Sequence, residues 1–157
     1  YLCTIKQKTT IMSELKLHIK LFSDLAHAPK KSEPKATGYD LRCMLAFSVP
    51  AFSAVKIPLG FAMEIVGNGV LIDTQIRPRS SVSAKGINIP TGTIEMDYRG
   101  ELIVCLQNIT PKVIDFQQGE KIAQLVFGIY ANPDVQIKTE LSETERGAGG
   151  FGSTGIF

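Results

Sequence analysis

The chain has 157 residues, a formal charge of +2, 44% hydrophobic and 20% charged residues, and three cysteines. A chain of this length forms one domain that buries roughly two thirds of its unfolded surface, and so small a net charge argues against a nucleic-acid or anionic-membrane surface. No apolar run approaches the ~18 residues of a membrane span, and the scattered Cys3, Cys43 and Cys105 imply no disulfide framework.

A reducing compartment is expected, cytoplasmic or nuclear, with Cys43 and Cys105 as buried, unreactive thiols in strand-like runs. Met12-Ser13 reads as a start, which makes residues 1–12 a leader or vector-derived segment. Lys6 and Lys8 precede no apolar core with a small-residue cleavage site, so the segment does not read as a secretion signal.

Residues 15–22, LKLHIKLF, alternate with period two and predict a strand with Leu15, Leu17, Ile19 and Leu21 on one face and Lys16, His18 and Lys20 on the other. His18 and His27, far apart and without paired cysteines, make no zinc site. A loop rich in Pro, Lys and Ser covers residues 28–36, and Thr37-Gly38-Tyr39-Asp40-Leu41 leads into an apolar strand at 41–49. Strands follow at 54–58 and 61–66. Gly67-Asn68-Gly69 then signals a hairpin, so that residues 70–76 pair back on the preceding strand.

Residues 77–86, RPRSSVSAKG, change character. Ser80 is placed to cap a helix of one or two turns, and Gly86 suits its left-handed end. The free N–H groups of such a start, beside Arg79 and Ser80, make an anion seat, with a capped structural helix as the bland alternative.

The central stretch, residues 87–108, sets strands at 87–89 and 102–106 around a loop that carries Pro90, Gly92, Glu95, Asp97, Tyr98, Arg99 and Gly100. Two acids, a flat aromatic and two glycines are groups that can bind, although an exposed acidic hairpin over a packed aromatic has the same composition. Strands at 111–116 and 122–127 flank a turn at 117–120. Short strands with regular turn signals and almost no helix predict an all-β fold of jelly-roll type.

Residues 146–155, RGAGGFGSTG, contain five glycines, as a flexible linker does. The Arg at its head, Phe in its middle and Ser-Thr near its end fit a mobile arm that wraps phosphates and stacks on a ring. The P-loop order is absent.

Five blocks, TGYDL (37–41), PRSSVSAKG (78–86), GTIEMDYRG (92–100), GEKIAQL (119–125) and RGAGGFGSTG (146–155), stand in one order over residues 13–155. In this the chain resembles the trimeric dUTPases, which convert dUTP to dUMP and pyrophosphate. The resemblance implies a jelly-roll-like β-barrel at 13–138 with one short helix. It also implies a flexible glycine-rich arm at 139–157 that closes over a neighbour's site in a homotrimer. Glu95, Asp40 and Gln124 are implied as catalytic positions, Asp40 mainly in support of the site. Ile89, Gly92 and Ile94 would read uracil and Tyr98 the deoxyribose. Arg79, Ser80, Ser81 and Gln124 would meet phosphates. Arg146, Gly152, Ser153 and Thr154 would close on the terminal phosphates, with Phe151 stacked on uracil. Mg²⁺ would be held by triphosphate and water with no direct protein ligand, Asp40 reaching it only through water. The expected partners are dUTP and two further copies of the chain, with no nucleic acid or membrane.

One departure stands out. Glu95 occupies the place where the family normally has the Asp that orients the attacking water. A dUTP-binding or regulatory homologue with weakened turnover is therefore an alternative. A dCTP deaminase is a further one, disfavoured because Cys105 stands where that branch carries its catalytic Glu.

Overall fold

The computed structural model describes residues 15–67 and 71–149. In chain order the described elements are β1 (Lys16–Leu21), β2 (Tyr39–Arg42), β3 (Phe47–Val49), β4 (Ala54–Pro58), β5 (Phe61–Val66), β6 (Ile72–Arg77), α1 (Ser80–Ala84), β7 (Ile87–Asn88), β8 (Thr93–Ile94), β9 (Ile103–Asn108), β10 (Ile114–Phe116) and β11 (Lys121–Ile129). They form antiparallel ladders in the orders β1-β5, β10-β3, β2-β11-β6-β8 and β4-β9-β7. This is the expected all-β, jelly-roll architecture with one short helix. No helix among the described residues is long and apolar enough to cross a membrane.

Period-two patterning decides which face of each strand goes inward. In β9, Val104, Leu106 and Asn108 are buried, while Ile103, Cys105 and Gln107 are not. In β1, Leu17 and Ile19 pack on the core and Lys16, His18 and Lys20 point outward as expected, although Leu21 is 48% exposed where the strand runs out. The core gathers Leu41, Leu59, Phe61, Phe116, Ile122 and Leu125, all nearly inaccessible. Side chains of this kind each contribute about 1.5–3 kcal/mol on burial. The buried Asn108 is fully used: its Nδ2 donates to the carbonyls of Val49, Pro50 and Lys112, and its Oδ1 accepts from Thr110.

Three local expectations are corrected. The apolar run at 41–49 is two strands. Cys43 leaves the ladder to exchange backbone bonds with Glu120 O and Gly119 N, so β2 and β3 enter different sheets. β6, which falls in the stretch expected at 70–76 to pair back on β5, does not do so. Every residue of β5 is registered with β1, and both edges of β6 are taken, by β11 and β8; Asn68 and Gly69 themselves lie outside the described residues. The helix is capped by Arg79, in extended backbone and with no side-chain cap bond, and Ser80 is its first helical residue.

The thiols also divide. Cys43 is fully buried, and burial pushes its pKa up, whereas Cys105 is only half-buried. The leader at 1–12 lies outside the described residues. After β11 ends at Ile129, residues 130–149 run without strand or helix.

Gly86 ends the helix at φ +84°, and a Cβ there would also run into the Thr110 methyl. Gly86→Ala is therefore expected to lower stability by about 1–3 kcal/mol, read from chemical denaturation at constant m-value. A loss under about 0.5 kcal/mol would show that the turn adapts.

Candidate active site

The central loop becomes one wall of a cleft of about 610 Å³. Ile89, Gly92, Ile94, Glu95, Asp97 and Tyr98 line it on the loop side, and Ile76 of β6, Leu102 just before β9, and Val104 and Cys105 of β9 line it opposite. The loop is held at both ends. β7 pairs with β9 through Ile87↔Asn108 and Asn88↔Gln107, and β8 joins the four-stranded sheet through Thr74↔Ile94 and Gln75↔Thr93. Tyr98, 45% exposed, donates its hydroxyl to Glu101 O at 3.0 Å and lies over Gly100, where a Cβ would strike the ring. Gly100 is thus a requirement of the Tyr98 position, while the space beside Gly92 is open. Glu95 and Asp97 are exposed on the rim, and neither side chain accepts a hydrogen bond among the described residues.

A second cluster forms where β2, β6 and β11 lie side by side. The ladder sets Gln124 opposite both Asp40 and Arg77. Asp40, its side chain only 12% exposed, pairs with Arg79 through one oxygen. Its other oxygen takes Lys121 Nζ at 2.7 Å and the Ser32 hydroxyl. Burial by itself would raise the Asp40 pKa, but the Lys121 and Ser32 hydrogen bonds and the charges of Arg79 and Lys121 outweigh it and hold the carboxyl below its ordinary value. Gln124 Nε2 donates to Pro78 O at 3.0 Å, which fixes the entry to α1. Arg79 Nε is buried without a partner among the described residues, and Ser80 and Ser81 are exposed on the first helical turn. Two cations against one carboxylate leave this cluster net positive, whereas the cleft rim carries two acids unpaired among the described residues.

Of the residues singled out in the sequence, Asp40, Arg79 and Gln124 meet in the cationic cluster with Ser80 and Ser81 beside them. Ile89, Gly92, Ile94, Glu95 and Tyr98 meet in the cleft. No hydrogen bond or ion pair joins the two groups among the described residues. Arg146 belongs to neither, since its Nε donates to Gly149 O within its own turn at 2.9 Å. Phe151, Gly152, Ser153 and Thr154 lie outside the described residues. Sequence reasoning missed Ser32 and Lys121. A Lys two residues beyond a turn glycine carries no local mark of its partner, which sits across the sheet on β2.

The dUTPase family profile matches residues 24–155. The deoxyuridine 5'-triphosphate nucleotidohydrolase of Paramecium bursaria Chlorella virus 1 is 38% identical over 141 residues, which are 89% of this chain and 98% of that protein. The Candida albicans protein of the same description is 37% identical over 155 residues, 96% of this chain and 93% of that one. A solved structure of the Staphylococcus bacteriophage 80alpha dUTPase with dUPNHPP matches with a TM-score of 0.81 and 25% identity, covering 90% of this chain and 99% of that chain.

Removing the Asp40 charge leaves Arg79 and Lys121 facing each other. Asp40→Asn should cost about 1–3 kcal/mol in denaturant. Because the folded pKa is depressed, the contribution is complete above the ordinary aspartate value and is lost as pH falls through the lower folded value. The acid limb of stability should flatten in the variant, and an unchanged limb would show that Asp40 is not the group responsible.

Proposed function

The chain belongs to the dUTPase family, and from that premise we propose how it hydrolyses dUTP to dUMP and pyrophosphate. The observation that supports the reading best is Glu95 standing unpaired on the rim of the cleft that Tyr98, Ile89 and Ile94 also line. Uracil and deoxyribose occupy this cleft, the base read by backbone groups from Ile89, Gly92 and Ile94, with the Tyr98 ring under the sugar. The triphosphate, a polyanion, belongs at the cationic cluster with Arg79, Ser80, Ser81 and Gln124. Asp40, with both oxygens engaged by cations and a hydroxyl, holds Arg79 in place and takes no proton from water.

Water on the Glu95 side attacks the α-phosphorus in line. Its oxygen bonds to phosphorus as the bond to the bridging oxygen breaks. That electron pair leaves with pyrophosphate, and the water proton passes to Glu95. No covalent intermediate is formed. The described residues gather no set of three or more His, Cys, Asp or Glu able to hold a metal ion, and Asp40 is already saturated. This donor set suits a Mg²⁺ ion carried on the triphosphate with its own water shell, which supplies charge neutralisation there when bound. The dCTP-deaminase reading has no carboxylate to rest on at Cys105.

The catalytic body spans residues 13–138 and the arm residues 139–157, in a homotrimer of the cytoplasm or nucleus. Arg146, Gly152, Ser153 and Thr154 of one copy meet the terminal phosphates on another, and Phe151 stacks on the base. Arg146→Ala protein mixed with Glu95→Gln protein should then regain pyrophosphate release through hybrid sites. Activity no greater than the sum of the two variants would count against shared sites.

Glu carries the same charge as Asp and can accept the proton, but its extra methylene moves the carboxylate by roughly a bond length. A misplacement of about 1 Å can cost on the order of 10²-fold in rate. Glu95→Asp is expected to raise kcat about 10- to 100-fold at similar dUTP affinity, and Glu95→Gln to fall below both. If Glu95→Asp leaves kcat unchanged or lowers it, the loop has adjusted to the longer acid.

A further inference from the structure

Glu95 and Asp97 ride on a turn that is exposed along most of its length, and such a turn holds a carboxylate only as well as its tethers allow. Those tethers can be enumerated. Tyr98 N donates to Glu95 O at 3.0 Å, which closes the turn. Ile72 N reaches Met96 Sδ at 3.2 Å, a weak bond to a thioether. A further tie is Arg99. Its Nη1 donates to Met96 O at 2.6 Å and to Tyr98 O at 3.2 Å, on either side of Asp97 and beginning one residue after Glu95, and its Nη2 donates to Glu64 Oε1 at 3.0 Å. Glu64 lies in the middle of β5, and its other oxygen meets His18 Nδ1 on β1 at 3.4 Å. The guanidinium therefore ties the turn to the β1-β5 sheet, while β8 ties the same loop to β6.

We propose that Arg99, braced by Glu64, is the positioning residue that sets where Glu95 presents its carboxylate. The planar fork suits this task, since one rigid group spans two carbonyls and an acid. The proposal rests on Glu95 acting as the base. It predicts an effect on chemistry more than on binding, because Tyr98 has a separate anchor. The Tyr98 hydroxyl is held by Glu101 O, and the Glu101 carboxylate accepts from Gly60 N at 2.8 Å. Loss of Arg99 frees the acid-bearing part of the turn while the ring that carries the sugar stays tied.

The test measures kcat and KM for dUTP with Mg²⁺ and, separately, amide exchange at Tyr98. Arg99→Ala should lower kcat about 10- to 100-fold with KM within about twofold and the melting temperature nearly unchanged. Arg99→Lys, which keeps the cation but not the fork, should recover part of the loss. Glu64→Gln should lower kcat by itself yet add nothing to Arg99→Ala, as expected of two groups acting through one contact. A kcat within twofold of the parent in Arg99→Ala, or additive losses in the double variant, overturns the proposal. If the parent protein releases no pyrophosphate from dUTP, the hydrolysis reading is what fails, and exchange decides the strut without turnover. The Tyr98 amide, bonded to Glu95 O, should exchange about tenfold faster in Arg99→Ala if the strut orders the turn, and unchanged exchange overturns it.

Discussion

Asp40, on β2, ties together three other parts of the chain. Its backbone pairs with Lys30 in the loop before β2, one carboxylate oxygen holds Arg79 at the start of α1, and the other holds Lys121 on β11 and Ser32 in that loop. A carboxylate with cations on both oxygens is satisfied in a setting where an unpaired charge would be expensive. The arrangement also fixes the guanidinium that begins the helix, which has no side-chain cap of its own. The geometry of the cationic cluster thus follows from one ionised aspartate whose partners come from distant places in the sequence.

The other half of the site is built differently. The Glu95–Tyr98 turn has few buried contacts, and its shape comes from hydrogen bonds reaching back to β5, β6 and the β9 entrance. Leu102 clasps that entrance to the β4–β5 turn through Leu59 N and Phe61 O. A rigid sheet below and a tethered loop above is a common division between scaffold and chemistry. It leaves the position of one carboxylate dependent on a handful of polar contacts. That is why an extra methylene at residue 95 and a remote guanidinium at residue 99 bear on the same quantity.

Charge separates the two halves. The net positive cluster around Arg79 and Lys121 attracts a polyanion, while the acids on the cleft rim, unpaired among the described residues, repel it. A nucleotide has the matching polarity, with an uncharged base and sugar at one end and a charged tail at the other. The half-buried Cys105 and the apolar Ile89 and Val104 suit the uncharged end.

Much of this was legible in the residues alone. The period-two pattern put Leu17 and Ile19 inward and His18 outward, Gly86 marked the end of the only helix described, and the separated blocks carried the family and, in the first four, most residues that meet in the cleft and the cationic cluster. These are local properties, set by side-chain chemistry and backbone freedom within a few residues. Pairing was not legible. Nothing near Gly67 says that β6 belongs between β11 and β8, nothing near Cys43 says that its run divides between two sheets, and nothing beside Lys121 or Arg99 names Asp40 or Glu64. Alternation specifies which face of a strand is buried but leaves open which edge meets which. Long-range partners are chosen only when all the apolar faces close on one core, so they were decided by the tertiary structure.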